Sequence, residues 1–119
     1  MKPQEQASKL TEILALIPES PLSFERMMDM FENSRYETRG IAENLPFELR
    51  LLLWTLIDRM EVPKDYLQVF KISSWAIQHT QECPGYSRTY RSPVPLTFTG
   101  KVFVIDDGTH STMLLAEEY

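Results

Sequence analysis

The chain has 119 residues, 43% of them hydrophobic and 24% charged. That is the length of one ordinary domain with enough apolar side chain for a core, and it excludes a disordered or collagen-like polymer. The net charge of −5 comes from acids dispersed along the chain, so no basic phosphate-binding footprint is visible and direct nucleic-acid binding is disfavoured.

From Gln4 to Ile17, residues Ala7, Leu10, Ile13, Leu14 and Ile17 recur at three-and-four spacing, the pattern of an amphipathic helix. Its apolar run, Ile13 to Ile17, is shorter than a signal-peptide core, and no window approaches the ~20 apolar residues that cross a bilayer. Together with Cys83 as the lone cysteine, which excludes an internal disulfide and fits a reducing compartment, this makes the cytoplasm the default location and a membrane partner unexpected. Pro18 and Pro21 end the helix, and Ser23 is placed to cap a second in which Phe24, Met27, Met28 and Phe31 share a face. Residues 1–33 therefore read as an N-terminal helical hairpin, an extension ahead of an α+β domain at 34–119. Its methionine-rich stripe packs on that domain or serves as an adaptable partner-binding face, since unbranched methionines fit several shapes.

Ser34 to Ile41 alternates like a strand until Gly40. Asn44-Leu45-Pro46 marks a helix start, with Asn44 as the cap, and the helix runs to about Met60. Glu48, Thr55, Asp58 and Arg59 form one narrow polar stripe on it, while Phe47, Leu49, Leu53, Trp54, Leu56, Ile57 and Met60 cover most of the rest; such a helix is expected to be enclosed and central. Arg50 projects into the apolar arc. It reads as a snorkelling or ion-paired arginine, with Asp106 and Asp107 as candidate partners, or as a contact to an anion or partner.

Tyr66 to Ile72 reads as a strand, Trp75 to Glu82 as its hairpin mate with Ile77, His79 and Gln81 on one face, and Tyr86 to Arg91 as a shorter strand. Lys101 to Asp106 and Thr109 to Leu115 flank Asp107-Gly108, a strong hairpin signal. A two-residue turn there sets Ile105 opposite His110, Phe103 opposite Thr112 and Val104 opposite Ser111. Both faces carry apolar groups, which places this hairpin in the interior of the sheet. The expected fold is thus α+β: a mostly antiparallel sheet of about five strands on one long central helix, with the N-terminal hairpin attached.

No constellation carries a recognisable chemistry. Asp106, Asp107, His110 and His79 include metal-ligating types without diagnostic spacing, and hairpin turn chemistry explains the aspartates equally well. His79 lies about 13 Å from Cys83 at ~3.3 Å per extended residue, leaving only His110 as a base for that thiol, and the favoured reading is a buried or half-buried inert cysteine. A phosphate-cradling loop, a GxSxG elbow and an HExxH helix are all missing from the sequence. No catalytic residue, metal or cofactor is assigned.

Several motifs nevertheless share an order: Arg35-Tyr36-x-Thr38-Arg39-Gly40, Pro46-x-Glu48-Leu49, Leu53-Trp54-x-Leu56-Ile57-Asp58, Asp65 to Phe70, and Val102 to Gly108. In that order the chain resembles a small family of Gram-positive bacteria, the domain of unknown function numbered nine hundred and sixty, over about residues 34–119. The resemblance implies a small cytosolic bacterial α+β protein and transfers no catalytic residue. Members begin near Asn33, so the N-terminal extension departs from the pattern. The leading reading is a non-enzymatic interaction or regulatory module with a protein partner, and the candidate partner-binding residues are Arg50, Phe24, Met27, Met28 and Phe31. The alternatives are an enzyme using a cleft near Arg50, His79 and His110, and an acidic decoy that occupies a nucleic-acid-binding protein. Oligomeric state is not set by the sequence.

Overall fold

The computed structural model describes residues 29–119. Strand β1 (Ser34–Glu37) leads through helix α1 (Arg39–Asn44) into helix α2 (Phe47–Asp58), followed by β2 (Leu67–Ile72), β3 (Ala76–Gln81), β4 (Tyr86–Arg91), β5 (Gly100–Asp106) and β6 (His110–Leu115). A single 3₁₀ turn, Ala116–Glu118, ends the chain. The strands form one sheet in the order β1-β6-β5-β2-β3-β4. Every pairing is antiparallel except β1 with β6, which run parallel with Ser34 opposite His110 and Glu37 opposite Met113.

Period-two alternation sorts the central strands into two faces. Phe70, Ile72, Ile77, Val102, Val104, Met113 and Leu115 point to one side, where they form the core with Ile41, Leu45, Leu49, Leu53, Trp54 and Ile57 of the helices and their junction. Met30 and Phe31 belong to this core as well, Phe31 with no exposed surface. Phe31 sits at φ 70°, a left-handed conformation costly for a bulky residue. It is held there because its N–H donates to Asp106 Oδ2 (2.8 Å) and its carbonyl accepts from the Arg35 guanidinium (3.1 Å).

The architecture differs from the expected one in three ways. The sheet has six strands and is mixed, because β1 finds a parallel partner at the far end of the sequence, a non-local pairing that strand propensity does not encode. The one helix of seven or more residues among those described is α2, twelve residues long, and it is not an enclosed central helix. Phe47 is 63% exposed and Leu51 53%, since they lie on the solvent side between the polar positions Glu48, Thr55 and Asp58. The expected N-terminal hairpin falls mostly outside the described residues, and where they begin the chain is in a turn that Phe31, at positive φ, cannot continue as α-helix.

Local corrections follow from side-chain capping. The strand expected over 34–41 stops at Glu37, because the Thr38 hydroxyl accepts the Ile41 N–H (3.3 Å) and starts α1. Pro46, not Asn44, occupies the N-cap of α2. In the last hairpin Ile105 faces Thr112 and Asp106 faces Ser111, two positions from the expected register. The shift occurs because Asp107 Oδ1 accepts the backbone N–H of both Thr109 (2.9 Å) and His110 (3.0 Å), which moves the reversal onto Gly108, at φ 98°, and Thr109. A two-residue slip preserves the faces. Strands β5 and β6 do lie in the sheet interior.

Candidate functional site

Three groupings of side chains stand out. The first is buried. On the covered face His79 Nε2 lies 2.7 Å from Gln68 Oε1. The Gln68 amide donates to the Asp65 carbonyl (2.9 Å) and to Gln81 Oε1 (2.7 Å). Gln81 in turn donates to the carbonyls of Pro63 (2.9 Å) and Pro84 (2.8 Å) and accepts the Asp65 N–H (2.8 Å). Because the Gln68 amide nitrogen is committed to acceptors, its oxygen must accept, so His79 carries its proton on Nε2. Its Nδ1 is buried without a partner among the described residues, and the ring is stacked on Phe70 with centroids 4.3 Å apart. Burial therefore lowers the His79 pKa to about 4. The imidazole is neutral at pH 7 and sealed from solvent, and the network ties the 63–65 loop and the β3–β4 turn to the sheet.

The second grouping lies along the β1 edge. Arg50 Nη1 donates to Glu37 Oε1 (2.7 Å), and Trp54 Nε1 donates to Glu37 Oε2 (3.0 Å). Arg35 pairs with Asp58 and lies over the Trp54 ring, 4.7 Å from its centroid. Two strand charges thus interlock with two helix charges of opposite sign. The expected partners of Arg50, Asp106 and Asp107, are elsewhere: Asp106 is buried, taking the N–H groups of Phe31 and Gly108 (each 2.8 Å) and the Asn33 amide (3.1 Å).

The third grouping is the reverse of the sheet. Leu67 and Val69 of β2, Phe103 and Ile105 of β5 and Leu114 of β6 lie side by side there, each half-buried, with no helix over them among the described residues. Tyr36 on β1 is 56% exposed, and the Tyr119 ring meets Phe103 edge-on at 5.8 Å. At one end of these strands Lys71 and Lys101 are directly opposite each other. At the other end Asp65 and Glu82 line a cleft of about 210 Å³ with Leu67, Val69 and Thr80, and Asp107 begins the neighbouring turn. Backbone and hydroxyl hydrogen bonds from His110 and Thr109 hold Asp107 down to about 2, so it is ionised at neutral pH.

The residues singled out for an enzymatic cleft are not brought together. Glu37, which holds Arg50, is separated from His79 by three intervening strands, about 19 Å at ~4.8 Å per strand. His110 points to the open face, where it meets Tyr36 edge-on (5.3 Å) and pairs with Asp107 (3.2 Å). Cys83 is exposed rather than buried or half-buried, because it lies in the β3–β4 turn outside the strands, three strand spacings from His110. Of the candidate partner-binding residues, Phe31 is buried in the core and Arg50 is paired, while Phe24, Met27 and Met28 lie outside the described residues. The opposition of Lys71 to Lys101 escaped sequence reasoning because it depends on β2 pairing with β5. Its one visible trace is the apolar content of both faces of the last hairpin.

Sheet and helices define a two-layer domain with one sealed and one open sheet face. The model of the family described as Staphylococcal protein of unknown function (DUF960) matches residues 34–118, and the chain belongs to that family. Among solved structures it is similar to the crystal structure of the protein of unknown function from Enterococcus faecalis, with 25% sequence identity, a TM-score of 0.65, and coverage of 74% of this chain and 92% of that one. No curated protein matches it. Thr38 and Gly40 have a visible role: Thr38 Oγ1 donates to Glu118 Oε1 (2.7 Å), and the missing Cβ of Gly40 admits that carboxylate, locking the 3₁₀ turn at 116–118 onto α1.

Proposed function

We propose that this chain is a non-enzymatic protein-binding module and that its recognition surface is the open face of the sheet. The observation that supports the reading is the composition of that face. An antiparallel sheet with one solvated face ordinarily alternates apolar-in and polar-out, yet here Leu67, Val69, Phe103, Ile105 and Leu114 occupy the outward positions. Four of the five are aliphatic, and Asp65 and Glu82 at one end of the face repel a phosphate backbone, which together favour a protein partner over single-stranded nucleic acid. His79, whose pKa burial lowers, is sealed in the core rather than presented in a cleft, which is not the placement of a catalytic histidine. Within this reading residues 34–119 are the module and the preceding residues an attachment, with Met30 and Phe31 reaching from it into the module's core.

The test is to introduce Leu114→Lys into the full chain, a change at a half-exposed position, and to compare binding of protein partners with Leu51→Lys on α2 as the control. Binding lost with the first variant and kept with the second is the expected result. The reverse would transfer the surface to α2.

A further inference from the structure

We infer that the occupant of the open face is a second copy of this chain, packed sheet against sheet about a two-fold axis that runs across the strands. The inference rests on the open face being a binding surface and adds the identity of the partner.

The starting point is the like-charged pair. Lys71 and Lys101 are directly opposite on adjacent strands, an arrangement that costs stability in an isolated sheet. Neither has an ion pair among the described residues. Arg91, on the same face at the same end of β4, adds a third cation. The opposite end of the face is acidic, with Asp65 and Glu82 in the cleft and Asp107 at the turn. Asp65 is fixed there: its N–H donates to Gln81 (2.8 Å), its carbonyl accepts from Gln68 (2.9 Å), and its carboxylate accepts the N–H groups of Tyr66 (2.8 Å) and Cys83 (3.2 Å), leaving lone pairs for a cation. The face therefore has a basic end, an apolar middle and an acidic end.

A two-fold axis lying between two such faces and perpendicular to the strands superposes the basic end of one copy on the acidic end of the other. The register sets where it falls. Gln68 is opposite Val104, and an axis through that row exchanges Lys71 with Asp65 along β2 and Lys101 with Asp107 along β5. Each lysine then meets a carboxylate of the other copy, and Leu67, Val69, Phe103 and Ile105 fill the middle. The interface is self-complementary, as an isologous dimer requires, and aligned face-to-face packing of sheets is a common solution. Five strands of six or seven residues and the four-residue β1, spaced ~4.8 Å apart with a rise of ~3.3 Å per residue, give a footprint on the order of 550 Å² before side-chain relief is counted. That is close to the ~800 Å² per partner of a standard interface. Single-stranded nucleic acid, which would find Lys71, Lys101 and Arg91 attractive, would meet repulsion from Asp65, Glu82 and Asp107.

The experiment is sedimentation of the full chain over a concentration series, with charge reversal at either end. The wild type is expected to reach twice the 13.9 kDa chain mass, with dissociation promoted by salt. Lys71→Asp with Lys101→Asp, both at exposed positions, should weaken self-association by at least about tenfold. Asp65→Lys with Glu82→Lys should do the same. Asp107 is left intact because it caps the turn. Mixing the two variants should restore a dimer, since three of the four contacts between positions 71 and 65 and between positions 101 and 107 then join opposite charges, and this rescue also shows that both variants fold. A wild type that stays monomeric, a dimer indifferent to both reversals, or a failure of the mixture to associate would each overturn the inference. A monomeric chain that still binds another protein through Leu114 would overturn self-association alone, whereas loss of both would remove the open face as a binding surface.

Discussion

On the helix-covered face of the sheet, Phe70, Val104 and Met113 have no exposed surface, whereas one residue along each strand Val69, Phe103 and Leu114 remain half-exposed on the reverse. The same strands, built from residues of similar hydrophobicity, meet helices on one side and solvent on the other. Apolar content does not by itself tell which face is the core. The covered face is distinguished by what closes it: α1, α2, Met30 and Phe31 above, and at its margins a set of polar side chains whose partners are internal. On the open face the charges are unpaired or locally paired and divided between two ends.

The largest effect separating the two faces is expected at Phe31. Truncation to Ala removes a fully buried aromatic and should cost about 3–5 kcal/mol, read by denaturant unfolding. By the same reasoning, a chain cut before Ser34 should be less stable than one cut before Asp29 by a comparable amount. Equal stability of the two cut chains would show that the covered face closes without this residue.

Acid provides the next comparison, through His79. Its pKa is lowered from 6.5 to about 4 by burial, so the unfolded chain takes up a proton that the folded one refuses. Stability is therefore fully present above pH 6.5 and falls as pH drops from 6.5 toward 4, by up to about 1.4 kcal/mol per pH unit. The orphaned Nδ1 gives the cause a local form, since a proton there would find no acceptor. His79→Phe should flatten this part of the pH profile in melts between pH 4.5 and 7. An unchanged slope would assign the acid sensitivity to another group.

A smaller effect is expected at the margin of the covered face. Arg50→Met should destabilise by about 1 kcal/mol, the range for a partly exposed charge-assisted hydrogen bond, because Glu37 retains only Trp54. A double-mutant cycle should show coupling between Arg50→Met and Glu37→Gln and none between Arg50→Met and Asp106→Asn. Coupling to Asp106 would contradict the observed pairing.

How much of this was legible in the sequence depended on whether the information was local. Strands β2 to β6 and helix α2 announced themselves through alternation, β-forming residues and turn chemistry, and the last hairpin missed only its register, because the Asp107 side chain captured two backbone groups that a generic Asp-Gly turn leaves free. The parallel β1–β6 pair, the burial of Phe31 and the Glu37 partner of Arg50 all join residues distant along the chain, and no periodicity encodes them. The exposed side of α2 is hidden from the sequence for a related reason: Phe47 is as apolar as Leu49 and Leu53, and only the position of the sheet decides which of them is buried. On the open face, each lysine was visible as a polar residue in a strand, but their opposition required the strand order.

The smallest effect has the opposite sign to the others. Lys71→Thr removes a cation from directly opposite Lys101 and substitutes a strand-favouring residue. In the dissociated chain this should raise stability by a few tenths of a kcal/mol, roughly 0.2–0.5, because like charges facing each other across a strand pair repel. In the associated form the same change deletes a contact to the other copy's Asp65, so the apparent stability should fall as protein concentration rises, relative to wild type. Thermal melts of both proteins across a concentration series should therefore cross, Lys71→Thr melting higher when dilute and lower when concentrated. Curves that stay parallel would mean that Lys71 has no contact beyond its own sheet, and the repulsion at that end would then have no compensation in the folded chain. A crossing would show that the cost borne within one copy is recovered between two.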